Sequence, residues 1–311
     1  MMKLAILFPG QGSQYVGMGQ QFFQGFQEAK DVFEQANEIL NYSLSELSFN
    51  GPEDQLKITM YTQPAIFVAS LAIWEAVKKQ GISVDYMAGH SLGEYTALTA
   101  AESLSYEEAL RLVQKRGLYM EEAVPHGEGT MAAIMGMERQ TLEMICHQVT
   151  EAGHVAELAN LNTPNQIVIS GTKIGVERAS DLAKEKGARR VIPLPVSGPF
   201  HSRLMKPARD RLQPLVNDLQ IQETRIPVVM NVTARAETEP LRIKSNLIEQ
   251  VVSPVLWTDS IEWMVKQGVD TFIEVGPSKV LSGLVKKIDR SVTTYSIEDI
   301  DTFDHFQKEW S

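Results

Sequence analysis

Short apolar runs alternate along the chain with longer stretches in which apolar and polar residues mix. The runs at residues 4–8, 84–88, 228–232 and 271–275 are short and mostly apolar, which is typical of strands that are buried on both faces. The stretches between them are long enough for amphipathic helices. Strands that alternate with helices predict an α/β fold, with a mainly parallel sheet that helices cover on both faces.

The middle of the chain follows a different order, namely strand, helix, strand, strand, helix, strand. The predicted strands are 131–137, 155–160, 166–170 and 190–196, and the predicted helices are 139–151 and 176–186. This order is that of the split βαβ, or ferredoxin-like, arrangement. We therefore predict a small ferredoxin-like subdomain at residues 127–197, inserted into a large α/β-hydrolase-like domain formed by residues 1–126 and 198–311. A ligand is expected in the cleft between the two.

Composition and charge narrow the function classes. Of the 311 residues, 43% are hydrophobic and 22% are charged, which favours an ordinary globular protein over a disordered one. The formal net charge of −10 argues against broad attraction to nucleic acid or to an anionic membrane. Any anionic ligand must therefore meet a local positive group.

Cysteine usage and apolar segments bear on the compartment. The single cysteine, Cys146, excludes an internal disulfide and a cysteine-based metal cluster, and we expect no metal site. No apolar stretch reaches the ~20 residues that cross a bilayer. The first apolar run ends at Pro9 and Gly10 and is too short for a signal peptide. We expect a soluble, cytoplasmic, monomeric protein.

The stretch G89-H-S-L-G93 places Ser91 between a predicted strand and a helix-compatible run. This pattern is typical of a nucleophile elbow, because flanking glycines allow the sharp turn that exposes the serine hydroxyl. The backbone N–H of Leu92 then lies at a helix N-terminus, where it can stabilise an oxyanion. The alternative is a glycine-rich turn that the serine merely caps.

A serine nucleophile needs a neighbouring base to accept its proton. His90 is adjacent to Ser91, but adjacent side chains on a tight turn point apart, so we expect it to pack beside the site. His201 follows the strand that returns from the small subdomain, which would place it at the mouth of the cleft. The alternative for His201 is a capping or surface role.

A predicted helix at 105–123 opens with the capping box S105-Y-E-E108 and has one apolar face. Arg116 lies in the middle of that face. A guanidinium is costly to bury without a partner, so an anion must be near it. Two alternatives remain open, an internal ion pair or a substrate carboxylate held by two parallel hydrogen bonds.

The turn from Pro9 to Ser13 follows the first strand and is rich in glycine. It does not fit a dinucleotide fingerprint, because Tyr15 stands where a small residue is required, and no Walker lysine follows. We instead expect a backbone N–H near Gln11 to act as a second oxyanion donor.

Several motifs share one resemblance. They are F8-P-G-Q-G-S-Q14, T62-Q-P-A65, G89-H-S-L-G-E94, Arg116, N160-L-N-T-P-N165, G198-P-F-H201 and E274-V-G276. Together they resemble the malonyl-CoA:acyl carrier protein transacylases, a family that includes the acyltransferase domains of polyketide synthases. The resemblance runs from the first strand to about residue 297, nearly the whole chain.

The resemblance implies a role for each matching residue. Ser91 is the acyl-accepting nucleophile, His201 its base, and the Gln11 and Leu92 backbone N–H groups form the oxyanion hole. Arg116 holds the free carboxylate of malonate.

The family often orients its histidine with a main-chain carbonyl, and the matching segment L247-I-E-Q-V-V-S253 nominates Gln250. Four further residues are expected to line the site without an assigned role: His90, Asn160, Asn162 and Asn231. Malonyl-selective members resemble this chain in having leucine after the nucleophile and phenylalanine before the base. Leu92 and Phe200 therefore favour malonyl over methylmalonyl.

The implied reaction is a ping-pong transfer. A malonyl group passes from coenzyme A, which is a substrate and not a bound cofactor, through Ser91 to the phosphopantetheine thiol of a holo acyl carrier protein. The carrier could serve fatty acid synthesis or a polyketide synthase assembly. Two alternatives are an editing hydrolase that clears acyl groups from carrier proteins and a non-catalytic docking subunit.

Overall fold

The computed structural model describes residues 3–310. The first part of the chain forms β1 (Leu4–Phe8), α1 (Gln20–Gly25), α2 (Gln27–Leu40), α3 (Leu44–Asn50), α4 (Glu53–Leu56), α5 (Thr59–Val77), β2 (Tyr86–Gly89), α6 (Gly93–Ala100) and α7 (Tyr106–Glu122). The middle forms β3 (Gly129–Met135), α8 (Arg139–Glu151), β4 (Ala156–Thr163), β5 (Gln166–Thr172), α9 (Lys173–Glu185) and β6 (Arg190–Pro193). The rest forms α10 (Lys206–Asp218), β7 (Val228–Val229), β8 (Ala236–Glu237), α11 (Pro240–Gln250), α12 (Trp257–Lys266), β9 (Thr271–Val275), α13 (Val280–Ile288), β10 (Thr293–Ile297) and α14 (Ile300–Trp310).

The larger sheet has the strand order β10-β9-β1-β2-β7-β8, and every neighbouring pair is parallel except β7 with β8. All five residues of β1 are buried, because β1 lies inside the sheet and helices cover its two faces. In its register Phe8 pairs with Gly89. The turns that follow β1 and β2 therefore leave the same edge of the sheet, side by side. The predicted α/β fold with a mainly parallel sheet is confirmed.

Helix α5 is the central helix of the main core. Its residues are buried on nearly every side, and it packs against α2 and α7. Such a helix is apolar all round because no face meets water. Gln63 is one of its few buried polar residues, and its amide contacts Arg116 and Met120 of α7.

The smaller sheet is antiparallel, with the order β4-β5-β3-β6, and α8 and α9 pack on it. Its edge strand β4 also contacts the larger part of the chain. Val255 donates its N–H to Ala159 at 2.8 Å and accepts the N–H of Leu161 at 2.9 Å. Main-chain hydrogen bonds therefore join the two parts, in addition to the two connecting segments.

Some predicted strand bounds are wrong by a few residues. The run at 228–232 stops as a strand at Val229, because the backbone N–H of Asn231 turns away from the sheet to the carboxylate of Glu94. The run at 84–88 begins as a strand only at Tyr86. The run at 190–196 ends at Pro193, and the chain beyond it leads toward His201. Within the described residues no helix is both long and apolar enough to cross a membrane.

Candidate active site

Ser91 occupies the turn between β2 and α6 with a positive φ of 53°, a conformation that non-glycine residues adopt rarely. The glycines around it allow this geometry. A Cβ at Gly89 would lie 1.8 Å from the carbonyl oxygen of Gly93, and a Cβ at Gly93 would lie 2.1 Å from that of Phe8. The turn is therefore packed too tightly for any side chain at either position.

His201 lies next to Ser91, although 110 residues separate them in the chain. The Ser91 Oγ is 2.7 Å from the His201 Nε2. The His201 Nδ1 is 2.9 Å from the carbonyl oxygen of Gln250, which can only accept a hydrogen bond. Nδ1 therefore carries the ring proton, and Nε2 is free to accept the Ser91 hydroxyl proton.

The imidazole of His201 is only 4% exposed. Burial and, to a lesser degree, the nearby positive charge of Arg116 together lower its pKa to about 3, although the hydrogen bond to the Gln250 carbonyl opposes them. The ring is therefore neutral at physiological pH. A neutral imidazole is the form that can act as a base.

Arg116 of α7 is fully buried and points at the same hydroxyl. Its NH1 donates to the Gln63 Oε1 at 2.8 Å, and its NH2 donates to the Gln250 Oε1 at 2.9 Å and to the Ser91 Oγ at 3.0 Å. Within residues 3–310 no carboxylate forms an ion pair with Arg116, so the internal ion pair considered from the sequence does not form. The positive charge instead faces the Ser91 hydroxyl.

Two amide side chains hold the elbow in place. The Gln250 Nε2 donates to the carbonyl oxygen of Ser91 at 2.9 Å. The Asn231 Oδ1 accepts the backbone N–H of Ser91 at 2.8 Å, and its Nδ2 donates to the carbonyl oxygen of Gly89 at 2.7 Å. Gln250 thus contacts His201, Arg116 and Ser91, whereas the sequence nominated only its main-chain carbonyl.

The two N–H groups expected to form an oxyanion hole lie on the adjacent turns after β1 and β2. Within residues 3–310 neither the Gln11 N–H nor the Leu92 N–H donates to an acceptor. The turns are in direct contact, since a Cβ at Gly10 would lie 2.3 Å from the carbonyl oxygen of His90. Free backbone N–H groups on two touching turns, one of which carries Ser91, are an arrangement that can stabilise an oxyanion.

The remaining predicted lining residues lie on the side of the smaller sheet. The His90 Nε2 is 2.9 Å from the Asn162 Oδ1, and its ring packs against Trp257 at a centroid distance of 5.4 Å. Asn160 is 8% exposed, and its backbone pairs with Val255. The His90 ring therefore packs against Asn162 and Trp257.

Leu92 and Phe200 are buried in the main hydrophobic core, at 0% and 6% exposure. Each is a direct chain neighbour of a reactive residue, Ser91 and His201 respectively. Both side chains therefore belong to the packing that supports the reactive residues.

Sequence reasoning missed the contributions of Gln63 and Glu94. Both belong to motifs quoted above, T62-Q-P-A65 and G89-H-S-L-G-E94, but neither residue was assigned a role. The available signal was a polar side chain within a helix that is otherwise apolar. For Gln63 that signal was the clearer one, because most residues of α5 are apolar and buried.

Known proteins resemble this chain over nearly its whole length. The family model described as "Acyl transferase domain" matches residues 6–302. A malonyl CoA-acyl carrier protein transacylase of Bacillus subtilis is 51% identical over 98% of this chain and 96% of its own length. The chain belongs to the malonyl CoA-acyl carrier protein transacylase family. The resemblance seen in the motifs is confirmed.

Solved structures of family members share the fold. An acyl carrier protein S-malonyltransferase from Vibrio cholerae has a TM-score of 0.95 at 44% identity, covering 97% of this chain and 99% of its own. A malonyl transacylase in complex with its type II polyketide synthase acyl carrier protein has the same TM-score at 39% identity, with 99% of each chain covered.

A cavity of about 340 Å³ lies between the part of the chain that carries the smaller sheet and the part that carries the larger sheet. His201, Arg203 and Ser253 line it from the larger part, and Cys146 and Glu157 line it from the smaller. The Glu157 carboxylate accepts the backbone N–H of Arg203 at 2.8 Å and pairs with its guanidinium. A cleft between the two parts was expected, and His201 stands on its wall.

Proposed function

We propose that the protein transfers a malonyl group from coenzyme A to the phosphopantetheine thiol of an acyl carrier protein. One observation carries this conclusion. The Ser91 Oγ is 2.7 Å from a neutral imidazole and 3.0 Å from a buried guanidinium that has no carboxylate partner among residues 3–310. A nucleophile with both neighbours suits an acyl group that ends in a carboxylate.

The first half-reaction forms an ester on Ser91. The Ser91 Oγ attacks the thioester carbon of malonyl-CoA, and the His201 Nε2 takes the hydroxyl proton. The negative oxygen of the tetrahedral intermediate lies between the N–H groups of Gln11 and Leu92. Collapse breaks the carbon–sulfur bond, and the coenzyme A thiolate takes the proton from His201. Coenzyme A leaves, and the enzyme carries the malonyl group as an ester on Ser91.

The second half-reaction runs the same steps backwards with a different thiol. The phosphopantetheine thiol of the carrier gives its proton to His201 and attacks the Ser91 ester. Ser91 leaves with the proton, and malonyl carrier protein departs. A thioester replaces a thioester, so transfer is reversible, and the site must mainly exclude water. The near-complete burial of His201 and Arg116 supports that exclusion.

Arg116 selects for the carboxylate end of the acyl group. Its Nε is buried and has no hydrogen-bond partner among the described residues. An unpartnered donor on a buried guanidinium is available to a carboxylate, and a planar guanidinium can hold a carboxylate with two parallel bonds. An acetyl group lacks that carboxylate and gains nothing from Arg116.

Leu92 and Phe200 discriminate among carboxylated acyl groups by their bulk. Rejection of one extra methyl group by apolar side chains is worth ~1–3 kcal/mol, so the preference for malonyl over methylmalonyl is clear but incomplete. Their direct adjacency to Ser91 and His201 supports this role.

The division of the chain also belongs to this proposal. A large α/β-hydrolase-like domain, residues 1–126 and 198–311, carries Ser91, His201 and Arg116, and a ferredoxin-like subdomain, residues 127–197, closes one side of the cleft. The strand order β4-β5-β3-β6 with two covering helices supports the ferredoxin-like description. We also propose that the protein works as a cytoplasmic monomer without a bound cofactor.

Labelled malonyl-CoA and a holo acyl carrier protein test the reaction. We expect label on the carrier within a few turnovers, with carriers of fatty acid synthesis and of polyketide synthesis compared side by side. Apo carrier, which lacks the thiol, and the S91A variant serve as controls and should remain unlabelled. Prompt release of free malonate in place of malonyl carrier protein would instead indicate an editing hydrolase.

A further inference from the structure

Glu94 is a buried carboxylic acid next to the site, and the reaction described above does not use it. It stands in the first turn of α6, three residues after Ser91, and its exposure is 0%. Its Oε2 accepts the backbone N–H of Asn231. Its Oε1 is buried without a hydrogen-bond partner among the described residues. An acid placed so deeply requires an explanation, because burial of a carboxylate is costly.

The Asn231 contact links Glu94 to the nucleophile. The same Asn231 holds the Ser91 N–H with its Oδ1 and the Gly89 carbonyl with its Nδ2. The Gln250 Nε2 also approaches the Asn231 Oδ1, at 3.4 Å. Loss of the Glu94 acceptor would therefore release the residue that holds the Gly89 carbonyl and the Ser91 N–H.

A second link runs through charge. Arg116 of α7 is the charged group that acts on Glu94, and its positive charge favours the ionised carboxylate. The two groups are too far apart for an ion pair, and the Arg116 Nε and the Glu94 Oε1 are both unpartnered within residues 3–310. The other elements packed on α6 are β1, β2, β7 and α5, and within residues 3–310 none of them presents a charged side chain that acts on Glu94. Tyr95, on α6 itself, is the remaining titratable neighbour.

We propose that Glu94 is a positioning residue of this site: its carboxyl group anchors Asn231, and its charge state sets how strongly Arg116 holds a substrate carboxylate. The proposal deepens the function given above and rests on it. A negative charge on Glu94 would partly neutralise the field of Arg116, and the malonyl carboxylate would then be held more weakly. A neutral Glu94 leaves the whole charge of Arg116 to the substrate.

Ionisation of Glu94 occurs in a range of pH that can be measured. Burial raises its pKa to about 8, while the Asn231 N–H and the charge of Arg116 oppose that rise. The raised pKa means that the carboxyl group is mostly neutral at neutral pH and gains its charge as the pH increases through about 8. Two neighbours do not titrate in this range, because burial lowers the pKa of His201 to about 3 and raises that of Tyr95 to about 12.

The test compares the loading of Ser91 from malonyl-CoA and from acetyl-CoA as the pH is varied. Both substrates share the same leaving group and the same reactive pair, so effects on Ser91 and His201 cancel in the ratio of their kcat/KM values. In the wild type this malonyl-to-acetyl ratio should fall by roughly threefold to tenfold between about pH 7 and about pH 9.5, because only malonyl meets the changing field of Arg116. In E94Q, which keeps an acceptor for Asn231 but never ionises, the ratio should not vary with pH.

A second variant separates the anchor from the charge. E94A removes the acceptor as well, so it should lower kcat for both substrates, and the conservative E94Q should restore much of that loss. The role of the Glu94 charge would be overturned if the malonyl-to-acetyl ratio varied with pH in the same way in the wild type and in E94Q. A ratio that does not vary with pH in the wild type would overturn it as well, and that measurement needs neither variant to fold. If the wild type did not load malonyl at any pH, the proposed function itself would be contradicted. That result differs from failure of the Glu94 proposal, in which the wild type still loads malonyl.

Discussion

At the scale of single residues, Arg116 is a buried charge that has no ion-pair partner among residues 3–310. Its guanidinium is surrounded by neutral acceptors from Gln63, Gln250 and Ser91, and it lies 5.4 Å from the centre of the Tyr95 ring. These contacts orient the guanidinium but do not neutralise it. A desolvated charge without a counter-ion attracts an anionic ligand far more strongly than one in water.

The variant R116K tests this role. Lysine keeps the positive charge but loses the planar fork, so the two parallel bonds to malonate and the bonds to Gln63 and Gln250 cannot all form. We expect kcat/KM for loading from malonyl-CoA to fall by about 10–100-fold, while loading from acetyl-CoA changes far less. Arg111 on the same helix is exposed, and R111K is the matched control. Equal losses for the two substrates would show that Arg116 acts only on the fold of the site.

The reactive residues differ in how far the sequence could predict them. Ser91 and His201 stand in short motifs, so the local pattern and the family resemblance pointed to them before their contact was known. The contacts of Asn231 and Gln63 join positions distant along the chain, Ser91 and Arg116 respectively. No local pattern encodes such contacts, because the fold alone brings these side chains together.

At the scale of elements, the site depends on two parallel neighbours, β1 and β2. Their register places the turns at the same edge, and glycines let the turns touch. In the proposed reaction the first turn supplies the Gln11 N–H to the oxyanion, and the second turn supplies the Leu92 N–H. Neither turn could form the oxyanion hole alone.

Gly10 tests that arrangement. A methyl group there would lie 2.3 Å from the carbonyl oxygen of His90, so G10A must push the first turn away and displace the Gln11 N–H. Loss of one oxyanion donor lowers kcat by about 10²–10³, and we expect a loss of this order in the rate of malonyl transfer. Gly283 in α13 has open space around it, and G283A is the control that should retain activity. A G10A enzyme that is folded and as fast as the wild type would argue against Gln11.

Secondary structure was predictable where pattern and local chemistry agree. Helix α7 begins directly after Ser105, whose Oγ accepts the N–H of Glu108 at 3.3 Å, as the capping box suggested. The strand predicted at 228–232 was too long because Asn231 does not pair in the sheet. Its N–H donates to the Glu94 carboxylate, and its Oδ1 accepts the N–H of Ser91. A functional contact overrode strand propensity there, and periodicity cannot anticipate this.

At the scale of the whole molecule, the alternation of strands and helices along the sequence was sufficient to predict the α/β fold class. The order of strands in the larger sheet and the main-chain contact between β4 and Val255 were not predictable, because both depend on pairing between distant segments. The contact matters for function, since it fixes the smaller sheet beside the cleft that His201 lines.

The net charge of the molecule and the charge at its reactive centre have opposite signs. The chain carries a net charge of −10, yet its reactive centre contains the buried positive charge of Arg116. In the proposed function, attraction of the malonyl carboxylate therefore arises locally and against the overall charge of the molecule. Ser91, His201 and Arg116 are distant along the chain, and in the proposed function their meeting makes Ser91 a temporary carrier of malonate.

The most direct test of that claim is the mass of the intact protein after brief exposure to malonyl-CoA. The wild type should gain the mass of one malonyl group, peptide mapping should place it on Ser91, and holo carrier protein should remove it. S91A should gain nothing, and H201A should gain it far more slowly. A wild-type protein that stays at its original mass, or that carries the group on another residue, would contradict the claim.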